Sequence, residues 1–302
     1  MKIAKNISDL VGNTPIVQLN NINSNIFAKC EFMNPTSSVK DRIGMNMIKQ
    51  SLAQGLIDLN THIIEPTSGN TGVALASQCA SLGIKLTLTM PESMSIERRK
   101  LMKIFGANIV LTPAALGMKG AIEKANELAA SNVNSVILDQ FSNKFNPQIH
   151  EQTTALEILE AMEGKIDIFV AAVGTGGSLS GTAKVLKEKL PNIKVIAVEP
   201  IHSAVLSGKN PGPHKIQGIG AGFIPKTLDT TIYDEIVTVA NEEAIDTSRL
   251  LASKEGILVG ISAGANIKAS QIISDRNPGK NIVTILCDTG ERYISTELFD
   301  LP

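Results

Sequence analysis

Short runs of β-branched and aliphatic residues alternate with longer stretches of helical period along most of this chain. HIIE at 62–65 precedes a predicted helix over 70–82, KLTLTM at 85–90 one over 95–105, and NIVLT at 108–112 one over 117–130, with SVILD at 135–139 closing the series. A helix near 147–162 leads into IDIFVAAV at 166–173, a helix over 178–190 and KVIAV at 194–198. Helices around 242–254 and 263–274 and a last run, NIVTILC at 281–287, complete the pattern. Uninterrupted apolar runs suit strands covered on both faces, and strands alternating with helices predict parallel neighbours. The expected fold is α/β: two interleaved three-layer α/β domains with mostly parallel sheets. A Gly/Pro-rich stretch at 207–225, SGKNPGPHKIQGIGAGFIP, breaks the rhythm and reads as a long functional loop.

Composition narrows the class. With 302 residues, 43% hydrophobic and 19% charged, the chain can bury two cores. A net charge of -1 supplies no positive field for nucleic acid or an acidic membrane, and 3% aromatics with no Trp leaves few surfaces for stacking bases. No apolar run approaches the roughly 20 residues that span a bilayer, and MKIAKNISDLVGNTP lacks the apolar core of a secretory signal, so a cytoplasmic setting is expected. Cys30, Cys79 and Cys287 are far apart and lack metal-ligand spacing; all three read as small buried hydrophobes, and no metal is expected.

Four segments carry candidate chemistry. GTGGS, Gly174 to Ser178, lies between an apolar strand and a helix, where backbone amides of Gly174, Gly176 and Gly177 with the hydroxyls of Thr175 and Ser178 can cup an anion. The third glycine of a dinucleotide fingerprint is missing and no GK[ST] follows, so the loop is neither of those nucleotide motifs. A tight strand-to-helix turn is the plainer alternative. TSGNTG, Thr67 to Gly72, places Thr67, Ser68, Asn70 and Thr71 before a helix; this is a donor-rich pocket for a carboxylate or phenolate, or an elaborate helix cap. In NPTSSVKDR at 34–42, Lys40 opens a helix, whose positive end disfavours the ammonium and suits Schiff-base chemistry; taken alone, an exposed lysine explains it as well. In GISAG at 260–264, Ser262 reads most simply as a helix cap.

Together with LVGNTP at 10–15, EPTSGNTG at 65–72, MPESMSIERR at 90–99, GMKGAI at 117–122, QFSNKFNPQIHEQTT at 140–154, HKIQGIGAGFIP at 214–225, EGILVGISAG at 255–264 and DTGERYIST at 288–296, these segments resemble the fold-type II pyridoxal-phosphate enzymes, and within them the cysteine synthase (O-acetylserine sulfhydrylase) family. The resemblance covers essentially the whole chain. It implies a tryptophan synthase β-like fold, a larger domain of residues 1–34 plus 146–302 that binds the cofactor phosphate, and a smaller one of 35–145 that carries Lys40 and the substrate loop. It implies pyridoxal 5'-phosphate linked to Lys40, which also serves as general base, with Asn70 beside the ring oxygen, Gly174 to Ser178 around the phosphate and Ser262 at the pyridine nitrogen. Thr67, Ser68, Gly69, Thr71 and Gln140 would hold the substrate α-carboxylate, and Gly218 would approach the substrate. The implied reaction converts O-acetyl-L-serine and sulfide to L-cysteine and acetate through an α-aminoacrylate. Cystathionine β-synthase-like chemistry, or use of O-phosphoserine or thiosulfate, is the alternative within the fold. A homodimer and the C-terminal peptide of serine acetyltransferase are the implied partners. The chain departs from the family at Ala155-Leu156, where glycine and proline are usual, and at Ser178, where threonine is common.

Overall fold

A computed structural model of the chain describes residues 3–67 and 69–300. Among them the strands are β1 Ile16–Gln18, β2 Ile26–Cys30, β3 His62–Pro66, β4 Leu86–Pro91, β5 Asn108–Thr112, β6 Ser135–Ile137, β7 Ile168–Ala172, β8 Lys194–Pro200, β9 Glu235–Val239 and β10 Ile282–Leu286. The helices are α1 Lys40–Ala53, α2 Asn70–Leu82, α3 Ile96–Ile104, α4 Gly117–Ala130, α5 Phe145–Ile149, α6 Ala155–Ala161, α7 Gly177–Lys189, α8 Asn241–Glu255 and α9 Ile261–Arg276. Two compact units result, one of Met1–Val11 with Asn34–Phe145, the other of Gly12–Met33 with Asn146–Pro302. Residues as far as Val11 thus group with the middle of the chain, unlike the expected division at residue 34. A helical turn at Ile7–Leu10 accounts for this: Ser8 Oγ donates to Gln78 Oε1 on α2 at 2.5 Å.

The first unit is built on a parallel four-stranded sheet in the order β5-β4-β3-β6. Its central strands β3 and β4 are covered on both faces, as their apolar runs require. On β4, Leu88 faces α2, where an added Cβ on Gly72 would approach its side chain, while Thr89 Oγ1 reaches the Ala121 carbonyl of α4 at 2.7 Å. Successive side chains of a strand point to opposite faces, so α2 and α4 cover opposite faces of β4. Gly44 on α1 lets that helix approach Ala74 of α2 closely.

The second unit holds a six-stranded sheet, β1-β2-β10-β7-β8-β9, parallel except for the antiparallel edge strand β1. Alternation along β7 supplies two cores. Ile168, Val170 and Ala172 pack with Ile196, Val198 and Ile267, whereas Phe169, Ala171 and Val173 pack with Val195, Leu179 and Leu186. Each of the valine, leucine, isoleucine and phenylalanine side chains among them stabilises the fold by about 1.5–3 kcal/mol.

ILVGI at 257–261 forms no strand, with a single bridge from Val259 to Thr289 ahead of α9. Two local expectations are corrected. Cys287 is half-buried rather than buried, lying just beyond the end of β10. The helix near 147–162 is interrupted by a π-turn at His150–Thr154 between α5 and α6. That turn brings Pro147 and His150 against Gly181 of α7, at a spacing that leaves no room for a Cβ. Ala155, one of the two departures from the family pattern, begins α6 fully buried, and Leu156 is exposed.

Candidate active site

Lys40 is the first residue of α1 and is half-buried. The turn ahead of it is pinned from within: the buried Asp41 carboxylate accepts from Thr36 N at 2.6 Å and from Thr36 Oγ1, and Lys40 N donates to Ser38 Oγ at 3.2 Å. Ser37 takes a left-handed φ of 57° in the same turn. The sequence NPTSSVKDR folds this way because Asp41 satisfies the donors that precede the helix, which presents Lys40 at its positive end.

The other candidates of this unit gather where β3 ends. Thr67 is buried and its hydroxyl accepts from Gly69 N at 3.2 Å, while Asn70 and Thr71 begin α2. A Cβ on Gly69 would meet the buried Arg98 side chain, which would have to shift to admit a larger residue. Thr71 Oγ1 donates to Gln140 Oε1 at 2.7 Å, which joins two segments 69 residues apart. Thr67, Gly69, Thr71 and Gln140 are therefore brought together; Ser68 lies outside the described residues.

In the second unit β7 ends at Ala172 and α7 begins at Gly177, with Gly176 at a left-handed φ of 85° as its cap. The first turn of α7 contains no acidic residue to neutralise its positive end. A Cβ on Gly174 would overlap the Gly218 carbonyl and one on Gly177 would overlap Asn146 Oδ1. Asn146 Nδ2 donates to Thr175 Oγ1 at 2.9 Å, and Thr227 Oγ1 donates to the Thr175 carbonyl. The five-residue loop is held from both sides, which a merely tight turn does not need.

Ser262 is the second residue of α9, and the cap position belongs to Gly260. Its side chain is thus not the expected cap and is available for another role. Gly218, φ 97°, lies beside it: a Cβ there would sit 3.8 Å from Ser262 Oγ. Behind Gly260 stand Asp288 and Tyr293, joined by a 2.7 Å hydrogen bond from Tyr293 Oη to Asp288 Oδ2. Gly174, Gly218 and Ser262 form one cluster.

The sequence reading missed Glu65, Asn146 and Thr227. Glu65 had a visible signal, a carboxylate inside the apolar run HIIE; Asn146 and Thr227 act on GTGGS from segments 29 and 52 residues away, a relation no spacing reveals.

The pattern that defines the family described as "Pyridoxal-phosphate dependent enzyme" matches residues 7–288. This chain belongs to that family. Among relatives of this pyridoxal-phosphate enzyme, a protein of Campylobacter jejuni named cysteine synthase B is 52% identical over 299 residues, covering 99% of this chain and 100% of its own. The solved structure of a hydrogen sulfide-producing enzyme from Fusobacterium nucleatum superposes with a TM-score of 0.94 at 47% identity, covering 96% of this chain and 100% of that one. A cysteine synthase from Entamoeba histolytica gives 0.95 at 43% identity, covering 100% of this chain and 92% of that one.

The residues present fit the family's cofactor. The head of α7 offers main-chain donors and two hydroxyls without an opposing acid, as a phosphate monoester requires. A half-buried lysine at a helix start supplies a primary amine, the group that condenses with an aldehyde. Among the described residues no helix is long and apolar enough to cross a membrane.

Proposed function

We propose that this chain is a cysteine synthase that joins sulfide to Cβ of O-acetyl-L-serine and releases acetate, giving L-cysteine. The donor-rich pocket at the end of β3 is the observation that carries the reading. Thr67, Thr71 and Gln140 converge there with the first turn of α2, a setting made for an α-carboxylate. The identity with proteins named cysteine synthase over the whole chain supports it.

Pyridoxal phosphate, when bound, withdraws electrons from the substrate's Cα and so weakens its C–H bond. Lys40 would hold the cofactor through its aldehyde and would serve as the base that takes the proton from Cα. The backbone of Gly174 to Ser178 would hold the phosphate. Ser262 would offer a neutral hydroxyl to the ring nitrogen, which could not hold a proton there as a carboxylate would; this would favour loss of a good leaving group over transamination. Asn70 would stand beside the ring oxygen and Gly218 would approach the substrate. Closure of the Thr67 to Gly72 segment over the carboxylate excludes the water that would divert the reaction.

The same pocket would receive the C-terminal carboxylate of a serine acetyltransferase peptide, and a cytoplasmic homodimer completes the reading. The test is to supply purified protein with O-acetyl-L-serine and, in separate runs, sulfide, thiosulfate or homocysteine, and to quantify the amino-acid product. L-Cysteine formed fastest from sulfide is the expected result; preferential formation of cystathionine would replace the reading.

A further inference from the structure

We infer that Glu65 is a positioning residue of the α-carboxylate pocket, fixing Gln140 and through it Thr71 by holding the two backbone amides of the Asp139 to Gln140 turn. The inference rests on the proposed function and adds a member to the machinery that the pocket's own residues do not include.

Glu65 is fully buried in β3, paired in register with Leu88 and so on the face that α2 covers. Burying a carboxylate there is costly unless it is hydrogen-bonded, and an aliphatic residue would fill the same space at no such cost. Both oxygens are engaged: Oε2 accepts from Asp139 N at 2.9 Å and Oε1 from Gln140 N at 3.0 Å. The turn they hold is strained, since Asp139 has a φ of 54°, a region that non-glycine residues rarely adopt. From there the connections continue through one side chain. Gln140 Nε2 donates to Pro66 O at 3.2 Å, next to Glu65 in β3, and Gln140 Oε1 accepts from Thr71. An acid on the strand thus sets a backbone, the backbone sets an amide, and the amide sets a hydroxyl at the start of α2. Displacement of such a group by about an ångström is enough to impair a binding site.

A role confined to folding would leave the two substrates equally affected. Sulfide carries no carboxylate, so the separation of the two KM values decides. Glu65→Gln, which presents an amide donor to one of the two backbone N–H groups, is expected to raise KM for O-acetyl-L-serine about tenfold, the loss of one such hydrogen bond, with KM for sulfide unchanged. In the Glu65→Gln, Gln140→Ala double variant the two effects should not add, because both act on one element. Glu65→Asp, one methylene shorter, carries the same measurement if Glu65→Gln fails to fold. Gln140→Ala raising KM for O-acetyl-L-serine while the folded Glu65 variant leaves it unchanged overturns the inference alone. Wild-type protein inert toward O-acetyl-L-serine and sulfide, or unaffected by Gln140→Ala, removes the functional reading and the inference with it.

Discussion

Thr71 Oγ1 donates to Gln140 Oε1 at 2.7 Å while Gln140 Nε2 donates to Pro66 O at 3.2 Å, so the Gln140 amide is oriented from both ends. A flipped amide would face the Pro66 carbonyl with its own oxygen.

Gln140→Glu replaces that amide by a carboxylate of nearly the same shape. A like charge about 4 Å from the substrate's carboxylate costs up to about 4 kcal/mol at an effective dielectric constant near 20. KM for O-acetyl-L-serine is expected to rise at least about tenfold, and steady-state kinetics at saturating sulfide measure it. An unchanged KM would place the carboxylate elsewhere.

Lys40→Ala is expected to abolish turnover, a loss of about 10³-fold or more, and to leave no protein-linked cofactor. Borohydride reduction followed by peptide mass spectrometry checks this. Wild-type protein should carry the reduced adduct on the peptide containing Lys40; an adduct on another lysine in the variant refutes the assignment.

Gly177→Ala sets a methyl group against Asn146 Oδ1, whereas Gly174→Ala sets one against the Gly218 carbonyl. Both should weaken cofactor binding at least about tenfold in an absorbance titration. Adding Asn146→Ala should restore part of the affinity of Gly177→Ala, because a side chain can be removed. It should not help Gly174→Ala, whose obstacle is backbone.

Glu65 also imposes a pH dependence on stability. Burial pushes its carboxyl from the ordinary 4.5 up to about 8, helped by the neighbouring Asp139 charge and opposed by the Gln140 and Asp139 amides. Between these values the folded chain keeps a proton that the unfolded chain releases. The contribution to stability is therefore fully present below about 4.5, declines as pH rises and levels off above about 8. Glu65→Gln should remove that decline, at most about 1.4 kcal/mol per pH unit. Urea midpoints of both proteins at several pH values measure it; parallel slopes would contradict the assignment.

Much of the architecture was legible because apolar period and element type agree. The helices at 70–82 and 117–130 and the strand at 108–112 lie where the pattern puts them. β1 is only three residues long, and β2, IFAKC, carries Lys29 in its interior, so neither announces itself. Lys29 is fully buried there because its ammonium meets Glu157 Oε2 at 2.6 Å, 128 residues away, and the Thr14 carbonyl. The π-turn at His150–Thr154 was invisible for a similar reason: it packs against Gly181 of α7, a partner outside its own segment. The candidate residues stood out where glycines and hydroxyls cluster beside a helix start. Of their supports, Glu65 precedes the same helix start at the end of β3, while Asn146 and Thr227 lie on other segments and are ordinary residues in the sequence.

The phosphate seat proposed at the head of α7 is made chiefly of main chain. Every amino acid brings the same amide with it, so drift among neighbouring side chains cannot erase such a receptor; only added bulk can block it. A lineage could therefore change its substrates by editing the β3 end of the other unit while inheriting the cofactor's anchorage intact.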